Sequence, residues 1–275
     1  MENNINTALT YSAWKKDYHP ILSQFNAKKL FVLFSAGKDS SVALDFILKA
    51  APEYGFEVEA HAGAFPVHRY TAAEKERISA FWLERGAAVN WYDMDITDEE
   101  IRITPNPCLP CQDVRKKLLK QILSASVKDW QQLVIVVSFS LWDIVSYSIE
   151  HVLMDIYSPN TNENETVDSK RFRETAQRFY PLVKMEDGYS IFRPLIRYNN
   201  ADILEVIARE AIPLLSIPCE FKEYRPKRIL QSYYEKMGMH FDYQRVLDFA
   251  ANALKLPDLS VYTGMDKEEY LQKFF

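Results

Sequence analysis

The chain has 275 residues, 48% of them hydrophobic, enough to bury a sizeable core as one large or two small domains. A net charge of −5 argues against an extensive nucleic-acid footprint, because duplex or tRNA binding draws on a basic face. No apolar stretch is long enough to span a membrane, and three cysteines do not make a disulfide scaffold.

Met1 to Thr10 is polar, with neither a basic nor an apolar signal region. A cytoplasmic location is therefore expected, where grouped cysteines serve metal or redox chemistry. Tyr11, Trp14, Tyr18, Ile21, Leu22 and Phe25 then recur at helical spacing and predict a helix packed on a sheet, within an N-terminal helical segment over 1–27. The aromatic ends, Tyr11 and Trp14 with Phe274 and Phe275, also offer a homodimer contact, core packing being the plainer use. Leu30-Phe31-Val32-Leu33-Phe34 predicts a buried strand, and the run from Ser41 to Ala50 an amphipathic helix.

Between them lies Ser35-Ala36-Gly37-Lys38-Asp39-Ser40. A strand that turns through small residues into a helix aims backbone N–H groups from a positive helix end, which suits a phosphate chain. A Walker A loop is excluded, since it needs Gly where Val32 stands and Ser or Thr where Asp39 stands. Asp39 binds through magnesium or caps the helix.

Further on, Glu57–Ala62 predicts a second strand leading to Gly63-Ala64-Phe65-Pro66, and Thr71–Arg85 a helix with Ile78, Phe81 and Trp82 on one face. Val89–Met94 predicts a third strand, Leu133–Phe139 a central buried one and Ile191–Leu195 another, before a helix over Asn200–Ala211. This alternation predicts an α/β fold, a doubly wound parallel sheet of Rossmann-like type, over 28–215. Ser158–Ser169 has no apolar period and predicts a mobile loop. Arg225–Gly238 and Phe241–Leu254 predict helices in a C-terminal helical region over 216–275.

Cys108 and Cys111 are spaced CxxC in a Pro-bracketed loop that opens a helix, and Cys219 lies far downstream. Two thiols so spaced hold a metal centre or exchange as a dithiol. Three thiolates would leave one iron of a cluster open to a sulfide or a substrate atom. A helix start at Gln112, with Arg115, Lys116 and Lys117 close by, is expected to lower the pKa of Cys111.

Ser35–Ser40 resembles the Ser-Gly-Gly-x-Asp-Ser signature of the PP-loop ATP pyrophosphatases, with Ala36 at the first Gly. With the CxxC and Val114-Arg115-Lys116, the chain is similar to the tRNA 2-thiocytidine synthetase branch of that family. The likeness continues through Pro181-Leu182-x-Lys184-Met185-x-Asp187-Gly188, Phe192-Arg193-Pro194-Leu195-x-x-Tyr198, Asp202-Ile203 and Ile217-Pro218-Cys219. Where that branch shows Gly-His-His-x-Asp-Asp, this chain has Ser138-Phe139-Ser140-Leu141-Trp142-Asp143, and only Asp143 matches. Lys222 stands where a second late cysteine is often found.

The resemblance implies an ATP-dependent sulfurtransferase. It would adenylylate a carbonyl oxygen of a nucleobase, release pyrophosphate, and exchange that oxygen for sulfur with loss of AMP. The implied cofactors are ATP, Mg²⁺ and a 4Fe–4S cluster on Cys108, Cys111 and Cys219. ATP would lie on Ser35, Ala36, Gly37, Lys38, Asp39 and Ser40, with Arg193 as a further phosphate partner by its bidentate geometry. Asp143 would orient magnesium or substrate, or else cap a helix. Sulfur arrives as sulfide or as a cysteine persulfide, from free sulfide or a cysteine desulfurase. The acidic balance favours a free nucleobase, of the kind converted to 6-thioguanine, over tRNA. Tyr224-Arg225-x-Lys227-Arg228 would contact an RNA backbone, or form a helix start with exposed charge. A phosphoadenosine phosphosulfate reductase-like enzyme and a nucleotide-binding module are the alternatives. The first needs a C-terminal cysteine that Asp258 to Phe275 lacks.

Overall fold

The computed structural model describes residues 8–62, 70–94, 96–157 and 167–274. In chain order the first half runs α1 (Tyr11–Leu22), β1 (Lys29–Phe34), α2 (Lys38–Tyr54), β2 (Glu57–Ala62), α3 (Ala72–Glu84), β3 (Val89–Trp91), α4 (Asp98–Arg102) and α5 (Cys108–Ser126). The second runs β4 (Leu133–Val136), α6 (Leu141–Tyr157), α7 (Val167–Ala176), β5 (Leu182–Lys184), β6 (Ser190–Phe192), α8 (Asn200–Arg209), α9 (Pro226–Lys236), α10 (Tyr243–Asn252), α11 (Ser260–Thr263) and α12 (Lys267–Phe274).

The six strands form one sheet in the order β3-β2-β1-β4-β6-β5. All pairings are parallel except that of the edge strand β5 with β6. Alternate side chains divide the core between the two faces. Leu30, Val32 and Phe34 of β1, with Val134, Val136 and Phe192, meet Trp14 and Tyr18 of α1, Ile78 and Trp82 of α3 and Val206 of α8. Phe31, Leu133, Ile135 and Ile191 face the other way, toward Leu123 of α5, Ile144 of α6, Tyr234 of α9 and Tyr262 and Tyr270 near the C-terminus. Helices on both faces make the sheet doubly wound, as the alternation of elements predicts. The C-terminal helices share the core of the second face.

Trp14 is fully buried and donates its indole N–H to the Pro194 carbonyl at 2.8 Å, so it belongs to the core and not to a dimer face. Tyr11 is half-buried and donates to Glu53, while Phe275 lies outside the described residues. Among the described residues no helix is long and apolar enough to cross a membrane.

The strands beside the site end earlier than their apolar runs. β4 stops at Val136, where its pairing with Val32 of β1 and Phe192 of β6 ends although β1 itself runs on to Phe34, and Val137 to Ser140 turn into a loop. β6 covers Ser190–Phe192 because Pro194 has no N–H to extend the ladder. The three-residue β5 is too short to show a period. Gly188, at φ +94°, closes the turn between β5 and β6, and a Cβ there would stand 3.1 Å from the Gln131 Cα.

Of the expected loop, 158–166 and the Gly63–Pro66 stretch lie outside the described residues. Val167 to Ser169 are instead the first turn of α7, which Phe172 and Ala176 anchor in the core.

Candidate active site

β1 and β4 lie side by side at the centre of the sheet. The chain leaves β1 toward β2 and β3 on one side and returns through β4 to β6 on the other. The crevice at the carboxyl ends of β1 and β4 is therefore the switch point of the sheet, where open α/β folds bind ligands.

Ser35 to Gly37 follow β1, and α2 starts at Lys38 with Gly37 at its N-cap. That start lies three residues before the amphipathic run at Ser41. The first-turn amides of Lys38, Asp39 and Ser40 have no carbonyl one turn earlier, so the helix leaves them as donors at its start. The hydroxyls of Ser35 and Ser40 bond to each other at 2.9 Å, and Ser40 also accepts from the Ser35 N–H at 3.0 Å. Ser40 Oγ lies 3.1 Å from the Gly37 carbonyl and is 3% exposed, so this hydroxyl shapes the loop from within. Ala36 occupies the left-handed region at φ +49°, where the family signature places Gly. Its carbonyl accepts from the Leu215 N–H at 3.0 Å. Asp39 does not cap α2; its carboxylate lies 2.6 Å from Lys38 Nζ.

After β4, Asp143 sits in the first turn of α6. Its Oδ2 accepts from the Ser140 N–H at 2.8 Å, so it caps α6 from the third helical position while Ser140, not Asp143, holds the N-cap place expected as the alternative. Its Oδ1 is taken by Lys227 Nζ at 2.8 Å and Gln231 Nε2 at 2.9 Å, both from α9. Burial alone would push this carboxyl up. The charges of Lys227 and Lys38 and the bonds to Lys227 and Ser140 outweigh it and hold the pKa below the ordinary carboxylate range. Lys38 and Asp143 thus feel each other across the switch point. Lys227 is turned inward, contrary to the exposed helix start or RNA contact expected of it; burial would lower its pKa, but Asp143 raises it. Tyr224 remains half exposed.

Arg193 follows β6 and is 1% exposed. Its guanidinium donates to the Tyr180 carbonyl at 3.1 Å and to Gln177 Oε1, so it is held by protein partners. Arg178, with no sequence signal, stands beside it and donates to Tyr147 Oη at 2.7 Å.

The third cluster is that of the cysteines. α5 begins at Cys108, not Gln112, so both CxxC thiols lie in its first turn, on one face. Both are buried, and all three thiols are free. Cys111 packs with Met94, Ile101 and Phe221, and Cys219 lies against that cluster. The pKa of Cys111 is raised, not lowered: burial outweighs the charges of Arg115 and Arg225, and Cys219 and Cys108 add to the rise. Lys116 turns away to the Gln272 carbonyl.

Among the described residues no three His, Cys, Asp or Glu side chains are drawn together as a metal-binding group. The donor chemistry nevertheless fits an iron–sulfur cluster: Cys111 and Cys219 meet one apolar patch, Cys108 reaches the carbonyl of its Phe221 at 3.9 Å, and two arginines lie within electrostatic reach of Cys111.

The Cys219 segment is tied down from outside the cluster. Arg102 pairs with Glu220 at 2.8 Å, and Glu74 accepts from the Ser216 hydroxyl and amide. Those two bonds lead the causes that hold Glu74 down to about 2. A depressed carboxylate stabilises fully above its unfolded pKa, roughly 4.3, and loses that effect as pH falls toward the folded value. Glu74→Gln is therefore expected to lower the urea midpoint at pH 7. The gap to wild type should close between about pH 4.5 and pH 2, as read by circular dichroism; a gap constant with pH would refute the tether.

No family model and no curated protein matches the sequence. Among solved structures, the U34-tRNA thiolase NcsA from Methanococcus maripaludis, with its 4Fe–4S cluster, superposes with a TM-score of 0.63. The match covers 94% of this chain and 88% of that one at 14% identity. The fold is that of a tRNA thiolase. At this identity the likeness is one of architecture, and it agrees with the α/β class expected from the alternation of strands and helices.

Proposed function

We propose that the protein is an ATP-dependent sulfurtransferase acting on a nucleobase carbonyl. The observation that carries this reading is the pairing of a phosphate loop and Lys38 with Asp143 across the switch point, in a chain that also gathers three free thiols. The thiolase-like fold supports it.

ATP lies with its phosphates on the first-turn amides of α2 and Lys38, while Ser35 and Ser40 hold the loop in shape. Asp39 or Asp143 would hold magnesium carried in with the nucleotide, which would neutralise phosphate charge. Arg193 is left out of phosphate contact, because its guanidinium is already engaged. The substrate carbonyl oxygen attacks the α-phosphorus, and the bond to the β-phosphate oxygen breaks as pyrophosphate leaves. Lys38 and the helix end stabilise the charge gathering on that leaving group. Sulfide then attacks the activated carbon, and AMP departs with the former carbonyl oxygen, so no external reductant is needed. Cys108, Cys111 and Cys219 would hold a 4Fe–4S cluster, which supplies an iron free of protein thiolate at which sulfide can be kept.

The substrate is a base, free or within a nucleotide. The net charge of −5 favours a small one. A tRNA substrate is the second reading, favoured by the fold neighbour being a tRNA thiolase.

Anaerobic purification with iron and acid-labile sulfide analysis tests the sulfur half. Wild type is expected to hold a cluster's complement of both, and Cys219→Ala to lose it while staying folded. A well-folded wild type without iron would refute the cluster and leave only the ATP chemistry.

A further inference from the structure

Behind Asp143 the protein gathers more positive charge than it neutralises. Phe139 and Tyr147 meet edge to face, with ring centres 6.2 Å apart. Lys227 Nζ stands 5.8 Å and 5.6 Å from the two centres, and the Arg178 guanidinium carbon 5.1 Å and 4.9 Å. Both cations therefore lie around the same pair of rings. Arg193 is close enough that the Arg178 charge helps burial to depress its pKa.

Among the described residues one carboxylate, Asp143, pairs with any of these three cations, and it is already bonded to Lys227 and Gln231. Among the described residues no carboxylate pairs with Arg178 or Arg193. Arg178 Nε is buried and has no hydrogen-bond partner among the described residues. Like charges held this close raise the free energy of the empty site, and an anion relieves it.

We infer that Arg178 and Lys227, set around Phe139 and Tyr147, form a second anion subsite that takes a phosphate carried by the substrate itself. The inference rests on the sulfurtransferase reading for its claim that this ligand is the substrate. The loop and this subsite meet α6 at different turns. Asp143 faces Lys38 from the first turn of α6, and Tyr147, which receives Arg178, lies one turn further along, about 6 Å. A phosphate beside Arg178 is thus set apart from the triphosphate by the Asp143 carboxylate. The planar fork of Arg178 has its Nε free, and it suits a phosphate oxygen. The substrate is then a nucleotide, alone or within RNA, and not the free base that the overall acidity favours.

The test uses the full chain saturated with α,β-methylene-ATP. Inorganic phosphate, the four nucleoside monophosphates, the matching nucleosides and five-nucleotide RNAs are titrated by calorimetry. At least one monophosphate or RNA is expected to bind about tenfold more tightly than its nucleoside, with inorganic phosphate competing. Arg178→Gln should erase that preference and Arg178→Lys keep part of it, both binding the ATP analogue within about twofold of wild type. RNA binding beyond the monophosphate identifies a chain phosphate; equal binding identifies a free nucleotide. Nucleosides binding as well as their phosphates, or no phosphate ligand binding at all, would overturn the subsite. So would loss of ATP-analogue affinity in Arg178→Gln, which would move Arg178 into the triphosphate site. These readouts need neither cluster nor sulfur. A protein that lacks iron yet discriminates phosphates would defeat the sulfurtransferase reading and leave the subsite standing.

Discussion

Lys38→Ala is expected to slow pyrophosphate release by about a hundredfold to a thousandfold. Lys38 is the cation of the proposed phosphate loop, and it sits at the start of a 17-residue helix whose first amides have no intrahelical partner. Its ammonium already lies 2.6 Å from Asp39. Removing it leaves that carboxylate facing the phosphates without compensation, so repulsion adds to the lost attraction. The loss should fall mainly on the chemical step, because charge on the leaving group grows in the transition state. Single-turnover release of labelled pyrophosphate, with substrate and sulfide supplied, is the direct measurement. Wild-type rates in Lys38→Ala would sink the assignment of the loop to ATP. Lys38→Arg is expected to recover only part of the rate, since a planar fork does not replace a compact charge among backbone donors.

Lys227→Met is expected to destabilise the protein by about 3 kcal/mol. Asp143 is 5% exposed, and Lys227 supplies its closest positive charge. Without it the carboxylate remains buried with Gln231, Ser140 and the more distant Lys38. Asp143→Asn combined with Lys227→Met should recover most of that loss, because an unpaired charge costs more than a missing pair. The sign of the pH dependence follows from the depressed pKa of Asp143. Its stabilisation is complete above the unfolded carboxylate value, roughly 3.9, and disappears as pH falls below it. Urea denaturation of the four proteins at pH 7 and pH 3 checks both points. Additive losses in the double variant, or a penalty unchanged at pH 3, would show that the pair is not coupled. Activity should stay low even in the restabilised double variant, because Lys38 no longer has a carboxylate opposite.

Residues that act through local chain geometry were legible in the sequence. The loop proposed to hold phosphate is a strand, a small-residue turn and a helix start, and each leaves a pattern within ten residues. The CxxC spacing already puts Cys108 and Cys111 on one helical face. What stayed hidden is made by folding at long range. Lys227 reads as an exposed charge beside Arg228, and only the packing of α9 on α6 turns it toward Asp143, 84 positions earlier. Arg178 sits between Gln177 and Phe179 with no motif, and its meaning comes from Tyr147 on another element. The raised pKa of Cys111 was missed for a related reason: position at a helix start is local, whereas burial is collective.

The Ala36–Leu215 hydrogen bond has a bearing on how far sulfur has to travel. Leu215 is four residues from Cys219, and four residues of extended chain reach at most about 14 Å. The turn that would cradle ATP and the thiol that would anchor a cluster are thus moored to one peptide contact. Glu74 pins the same stretch at Ser216. On the sulfurtransferase reading, a base activated in the crevice would lie a short length of chain from the sulfur centre. Such a layout would dispense with a swinging carrier arm, and the activated base would not have to diffuse through water that would hydrolyse it.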